Sequence, residues 1–123
     1  MPIIPDKPKG NDKRHIKRSH LIYYLRVFNQ ANNQILGHLV DITHEGAMLI
    51  SESPISTGEH FQLRMMLPAE IFGREHMDFE AESLWSKRDL NPDFYDTGFR
   101  LNAVALKDTA VIARLIDEFG FRD

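Results

Sequence analysis

The sequence contains no cysteine and no long apolar run, and each absence excludes a class of structure. Without cysteine the chain forms no disulfide and offers no thiolate to a metal ion, which fits a reducing compartment. The longest apolar run, Leu21 to Leu25, is far shorter than the ~20 residues that a membrane-spanning helix needs. The first ten residues also lack an apolar stretch of signal-peptide length. We therefore expect a cytoplasmic protein with no membrane insertion.

Residue patterns typical of metal sites and of nucleophilic catalysis are missing as well. The six histidines form no HxH, HxxxH or HExxH spacing, so a zinc site is not expected. Ser19 and His20 are adjacent in sequence, but adjacent strand residues point to opposite faces of a sheet. This pair is therefore not expected to act as a catalytic nucleophile and its base. The row Asp78, Glu80 and Glu82 is interpreted as an exposed acidic strand face. We therefore predict a protein that is not an enzyme and that needs no cofactor.

The charge distribution is asymmetric along a chain of 123 residues, the length of about one domain. Residues 1–20 contain six Lys or Arg and two Asp, a net charge of +4. The rest of the chain has nine basic and sixteen acidic residues, a net charge of −7. Residues 1–12, MPIIPDKPKGND, have the composition of a flexible tail. The basic segment KRHIKR, residues 13–18, follows this tail, so a basic arm precedes an acidic body.

Short segments of alternating apolar residues, separated by turn residues, predict a mainly β fold. Met77, Phe79 and Ala81, for example, alternate with acidic residues, so one face of that strand belongs to the core. A helix with one apolar stripe follows, with Asp108 as its predicted N-cap and Gly120 at its end. We predict a six-stranded antiparallel barrel with a C-terminal helix packed on it. The predicted strands lie near residues 20–28, 34–43, 47–51, 61–67, 77–85 and 97–104.

Trp85 is the only tryptophan of the chain. Strict alternation places it on the same face as Met77 and Phe79, which favours a core position. A β-bulge before it would instead turn the ring outward, where it could stack on a nucleotide base. Trp85 is therefore also a candidate ligand-binding residue.

The first two predicted strands would form a hairpin around residues 29–33. In such a hairpin the numbers of opposite residues sum to about 62, within two. Arg18 then lies opposite about His44, and the basic arm leaves the barrel beside the turn DITHEG, residues 41–46. The hairpin thereby brings two guanidinium groups, a carboxylate, a hydroxyl and a glycine together, although they are distant in sequence.

This combination of groups suits a guanine nucleotide that carries phosphates. An arginine can donate two parallel hydrogen bonds to guanine O6 and N7, bind phosphate oxygens, or stack on a base. A carboxylate can accept from guanine N1 and N2, and a threonine hydroxyl can donate to phosphate or base. A glycine permits close approach of the backbone.

At these residues the sequence resembles the PilZ family of receptors for the bacterial second messenger cyclic di-GMP. Family members carry an RxxxR motif in an N-terminal arm, which RHIKR at residues 14–18 matches. They also carry a [DN]xSxxG motif, which DITHEG at residues 41–46 matches with Thr43 in place of serine. The resemblance covers residues 13–119. It implies a PilZ domain over residues 13–123, divided into a basic ligand-binding arm at 13–19, a PilZ-type barrel at 20–105 and a helix at 107–120.

The resemblance also implies a ligand, cyclic di-GMP, and a binding site. The two arginines of RxxxR would clamp its bases and phosphates, and the DxTxxG residues would complete the surface site. Thr43 keeps the serine hydroxyl but adds a methyl group that stiffens the side chain. The candidate site residues are Lys13, Arg14 and Arg18 in the arm and Asp41, Thr43, Gly46 and Trp85 in the barrel.

We therefore predict a single-domain bacterial cyclic di-GMP sensor that signals to a separate effector protein by ordering its N-terminal arm. Two alternative functions stay open. A basic arm beside a small barrel could bind RNA or DNA, although the acidic body would repel an extended polyanion. A PilZ-like adaptor could bind proteins alone, without the nucleotide. The arginines could also be a solvated tail, and Asp41 and Thr43 could merely order the turn.

Overall fold

Six antiparallel strands close into a barrel and one long helix packs against it, as the sequence predicts. The computed structural model describes residues 25–119. Around the barrel the strands follow the order β1-β2-β3-β6-β5-β4, and β1 pairs with β4 to close it. The elements are β1 (Arg26–Asn29), β2 (Gln34–Ile42), β3 (Gly46–Ser51), β4 (His60–Met66), α1 (Ala69–Phe72), β5 (His76–Arg88), β6 (Tyr95–Ala103) and α2 (Leu106–Phe119).

The hairpin of β1 and β2 has the predicted register. Arg26 lies opposite His38, and the numbers of opposite residues sum to 63 or 64 along the hairpin. The pairing reaches the first described residue, Leu25, whose carbonyl oxygen accepts a hydrogen bond from Leu39 N at 2.8 Å. The predicted position of Arg18 lies outside the described residues, as do the predicted tail at 1–12 and arm at 13–19.

Alternating apolar side chains fill the barrel, and α2 seals it. In β4, Leu63 and Met65 are fully buried, as the period-two pattern predicts. Ile112 and Leu115 on α2 are equally buried and belong to the same core, where each contributes about 1.5 to 3 kcal/mol. Within residues 25–119, no helix is long and apolar enough to cross a membrane.

The predicted N-cap of α2 is wrong. The helix begins at Leu106, so Asp108 lies in its first turn rather than before it. The carboxylate of Asp108 is buried and faces Arg74, whose Nη1 lies 2.7 Å from Asp108 Oδ1. A cap and a buried ion pair both place an aspartate near a helix start, where the helix dipole also favours it. A partner from another segment, Arg74, therefore decides the role of this residue.

The connection between β4 and β5 carries α1 and also contacts α2. Arg114 on α2 donates from Nη1 to Ile71 O at 2.9 Å, and its guanidinium carbon lies 5.1 Å from the centroid of the Phe72 ring. Gly73 ends α1 with a φ of 72°, a left-handed conformation that glycine adopts without strain. Two arginine contacts therefore join α2 to this connection.

A β-bulge in β5 overturns the predicted core position of Trp85. The register of β5 against β6 shifts between Ser83 and Trp85. Ser83 is fully buried, whereas Leu84 is 48% exposed and Trp85 is 42% exposed. Because a bulge adds one residue to the strand, the inner and outer faces exchange at this point, and Trp85 turns outward.

The β5–β6 hairpin holds a carboxyl group with an unusual affinity for its proton. Burial, followed by the hydrogen bond and the negative charge of Asp89, raises the pKa of Asp96 to about 7, against the opposing effect of Lys87. Asp89 also accepts a hydrogen bond from Asn91 N at 2.9 Å. Asp96 therefore keeps much of its protonated form near neutral pH, whereas its ordinary pKa is 3.8.

We expect Asp96→Asn to make the protein more stable at pH 8. Because the folded-state pKa is raised, the stability linked to this carboxyl is fully present below the unfolded-state pKa and is lost as the pH rises towards about 7. Solvent screens this partly exposed group, so we expect the variant to gain about 1 to 2 kcal/mol at pH 8 and little at pH 4. Urea unfolding of both proteins over this pH range measures the gain. A difference in stability that does not change with pH would contradict the prediction.

Candidate functional site

A row of cross-strand partners runs over four strands on the outside of the barrel. Asp41 on β2 lies opposite Met48 on β3, which lies opposite Gly98 on β6. Gly98 in turn lies opposite Trp85 on β5. With neighbouring strands ~4.8 Å apart, the row is about 14 Å long. The register shifts at both ends, next to Asp41 and next to Trp85, and such bulges often redirect side chains beside functional sites.

Thr43 organises the turn that leads from β2 into β3. Its backbone N donates to Gly46 O at 2.8 Å, and its hydroxyl oxygen accepts from Glu45 N and Gly46 N at 3.2 and 3.1 Å. The side chain therefore orders the turn, one of the two roles considered for it. The hydroxyl proton has only a long contact with Gly46 O, at 3.4 Å, so it can turn to a ligand.

The other two motif residues, Asp41 and Gly46, are held by the backbone around them. Asp41 Oδ1 accepts a hydrogen bond from Ile42 N at 3.0 Å. A Cβ atom on Gly46 would lie 2.8 Å from Phe99 O, which belongs to the backbone of β6 and cannot move aside cheaply. Glycine is therefore required where β3 begins, because the two strands approach so closely there.

The indole ring of Trp85 rests on the backbone of Gly98. A Cβ atom at Gly98 would lie 2.4 Å from both Cε2 and Nε1 of the ring, so any other residue would displace it. Lys87 follows Trp85 by two positions on β5, and its Nζ lies 5.5 Å from the centroid of the ring. Much of the ring is still open to solvent, and an open aromatic face can stack on a nucleotide base.

One open groove of about 260 Å³ is formed by these elements. Its lining consists of Asp41, Ile42, Thr43, Gly46, Ala47, Met48, Leu84, Trp85, Gly98 and Phe99. Sites that enclose drug-sized ligands have about 300 to 1,000 Å³, so this groove holds only part of a dinucleotide. Its one ionisable lining residue is the acidic Asp41, so an anionic ligand needs cations from residues outside the lining.

Four of the seven predicted site residues line this groove: Asp41, Thr43, Gly46 and Trp85. The other three, Lys13, Arg14 and Arg18, lie outside the described residues. Sequence reasoning missed the other six lining residues, which are Ile42, Ala47, Met48, Leu84, Gly98 and Phe99. Gly98 was the one signal in the sequence for this part of the groove, because a glycine inside a strand often marks a close approach of another group to the backbone.

The predicted acidic face of β5 is partly neutralised by neighbouring arginines. Arg64 donates to both carboxylate oxygens of Asp78, at 2.8 and 3.0 Å, and these hydrogen bonds lower the pKa of Asp78. Glu82 Oε1 lies 2.6 Å from Arg100 Nη2. This compensation weakens the predicted repulsion of a polyanion. In the part of the chain that the structure describes, no group of three or more His, Asp or Glu could hold a metal ion.

Comparisons with known proteins agree with this architecture. The family model described as PilZ domain matches residues 12–118. The solved structure of the Bacillus subtilis inhibitor of motility (MotI/DgrA) is similar, with a TM-score of 0.62 and 18% sequence identity, over 75% of this chain and 44% of that chain. This likeness concerns the fold, and the chain spans less than half of the length of that protein. No curated protein matches the chain. Because the family model covers most of its length, the chain belongs to the PilZ domain family.

Proposed function

We propose that this chain is a cyclic di-GMP receptor that binds the dinucleotide with the barrel groove and the basic arm together. PilZ domains form a family of cyclic di-GMP receptors and are binding or adaptor domains rather than enzymes. The proposal is carried by one observation. The DxTxxG residues and Trp85 line one groove, although 39 positions separate Gly46 from Trp85.

In the proposed complex the two sides of the groove take different parts of the ligand. A guanine base stacks on Trp85, a contact that contributes about 1 to 3 kcal/mol in nucleic-acid complexes. Asp41 accepts from the guanine N1 and N2 donors, and Thr43 donates its hydroxyl proton to a phosphate or base. Arg14 and Arg18 supply positive charge, which the groove lining lacks.

The proposed output is carried by the arm. The ligand would hold residues 13–19 against the barrel, and a separate cytoplasmic effector protein would bind the surface that the arm and the ligand form together. Binding of the anionic ligand would thereby create a new surface for the effector.

Isothermal titration calorimetry with cyclic di-GMP tests the proposed function. Backbone amide NMR in the same titration is expected to shift the signals of residues 13–18 and 41–46. An unchanged spectrum at high ligand concentration would overturn the proposal. Parallel titrations with RNA and DNA test the nucleic-acid alternative, in which the longer polyanion binds more tightly than the dinucleotide.

A protein-binding adaptor without nucleotide affinity is the second candidate function, and Thr43 favours it. The hydroxyl of Thr43 already accepts two backbone hydrogen bonds within its own turn. Its methyl group also restricts the side chain more than serine would. The calorimetric titration separates the two candidates, because such an adaptor produces no binding heat with cyclic di-GMP.

We expect Trp85→Ala to weaken cyclic di-GMP binding by about 5- to 150-fold, because a stacking contact of roughly 1 to 3 kcal/mol is lost. Leu84→Ala is the matched control, since Leu84 is exposed by the same bulge and lines the same groove but has no aromatic face. Both side chains are more than 40% exposed, so both variants should fold. Equal losses of affinity in the two variants would contradict stacking.

A further inference from the structure

Lys87 is a positive charge beside the groove that the motifs do not include. It lies beyond the bulge of β5, so its side chain projects from the same outer face as Trp85. Its Nζ lies 5.5 Å from the centroid of the Trp85 ring. The ammonium group is therefore carried by the barrel itself, next to the ring on which a base would stack.

The charge of Lys87 is only partly compensated by a neighbouring acid. No ion pair among residues 25–119 includes this lysine. The acidic residue opposite it is Asp96 on β6. Burial, followed by the effect of Asp89, raises the pKa of Asp96 to about 7, so much of this carboxyl is uncharged near neutral pH. An external anion can therefore contact the ammonium group without breaking an ion pair among the described residues.

We propose that Lys87 is a further ligand-binding residue, whose ammonium group contacts the negative charge of the nucleotide that stacks on Trp85. This inference rests on the proposed function. The ionisable lining residue of the groove is Asp41, which repels phosphate, so a cation fixed beside the ring complements a dianionic ligand. A cation–π contact at an exposed site is weak, so the ammonium group leaves the ring for a phosphate at little cost.

The test compares Lys87→Gln with the wild type in the full chain, by titration with cyclic di-GMP and detection through the emission of Trp85. We expect the affinity to fall about 3- to 10-fold at low salt, and the slope of log Kd against log salt to decrease by roughly 0.7, as for one lost phosphate contact. Lys87→Arg should retain both, because a guanidinium group also binds phosphate. Lys107→Gln is the matched control, since it removes an exposed lysine on α2, outside the groove lining.

The inference about Lys87 and the proposed function fail under different results. Suppose that the wild type binds cyclic di-GMP. If Lys87→Gln then has the same affinity and salt slope as the wild type or as Lys107→Gln, Lys87 makes no ligand contact. The inference then fails while the proposed function stands. Tighter binding by Lys87→Gln would also overturn the inference, because it would mean that the lysine obstructs the ring. If the wild type shows no binding, the proposed function itself fails.

Discussion

Replacing Arg74 with methionine is expected to lower the free energy of unfolding by about 3 to 5 kcal/mol, the range for breaking a buried ion pair from one side. The side chain of Asp108 is only 3% exposed, so the variant leaves a carboxylate without its cation inside the protein. The 2.7 Å contact between Arg74 and Asp108 does not have hydrogen-bond geometry, so it stabilises the fold by charge compensation. Urea unfolding monitored by circular dichroism measures the loss.

Arg64→Met is the matched control for this prediction. Arg64 makes two well-directed hydrogen bonds to Asp78, but both side chains are about 40% exposed. Water can replace those contacts, so we expect a much smaller loss of stability. Asp108→Asn added to Arg74→Met should recover part of the loss, because it removes the uncompensated charge. The prediction fails if Arg74→Met costs no more than Arg64→Met, or if the double variant is less stable than Arg74→Met alone.

The barrel could be predicted because its signals come from neighbouring residues. Along the seven residues of β4, the apolar residues Phe61, Leu63 and Met65 alternate with residues that are more exposed. The β1–β2 register follows from the length of the turn between two apolar segments. The DITHEG turn is equally local, since β2 ends at Ile42 and β3 begins at Gly46. Such features need no knowledge of the rest of the fold.

The positions of Trp85 and Asp108 could not be predicted, because distant residues decide them. The bulge that turns Trp85 outward lies opposite Gly98, where the absent side chain leaves space for the indole ring. Asp108 is buried against Arg74, which lies 34 positions earlier. In both cases the local pattern permits two outcomes, and a contact across the fold selects one.

The candidate site divides in the same way. Asp41, Thr43 and Gly46 are close in sequence, so a motif identifies them. Gly98 and Trp85 join them only because β3 pairs with β6 and β6 pairs with β5. This strand order belongs to the closed barrel as a whole. The sequence therefore named Trp85 as a candidate, but only the structure places Trp85 and Gly98 beside the motif residues.

The described start of the chain lies close enough to the groove for the basic arm to reach it. Leu25 accepts a backbone hydrogen bond from Leu39 on β2. Leu39 lies two residues, about 7 Å, from Asp41 along the same strand. The seven Cα-to-Cα steps from Arg18 to Leu25 span at most about 25 Å when extended, more than the ~14 Å from Asp41 to Trp85 across the four strands. Chain length therefore permits both arginines of the RxxxR motif to contact a ligand bound in the groove.

Replacing Arg14 and Arg18 together with alanine is expected to weaken cyclic di-GMP binding by about 2 to 6 kcal/mol, at least about 30-fold, if each bidentate contact contributes roughly 1 to 3 kcal/mol. Calorimetry measures the loss, and the unfolding midpoint should stay close to that of the wild type. The double variant Lys7→Ala with Lys9→Ala is the matched control, because it removes the same charge from the same N-terminal segment but leaves the motif intact. A site that uses the forked geometry of arginine loses affinity when the two arginines are replaced, but not when the two lysines are replaced. Equal losses in both double variants would therefore mean that residues 1–20 act as an unspecific basic tail.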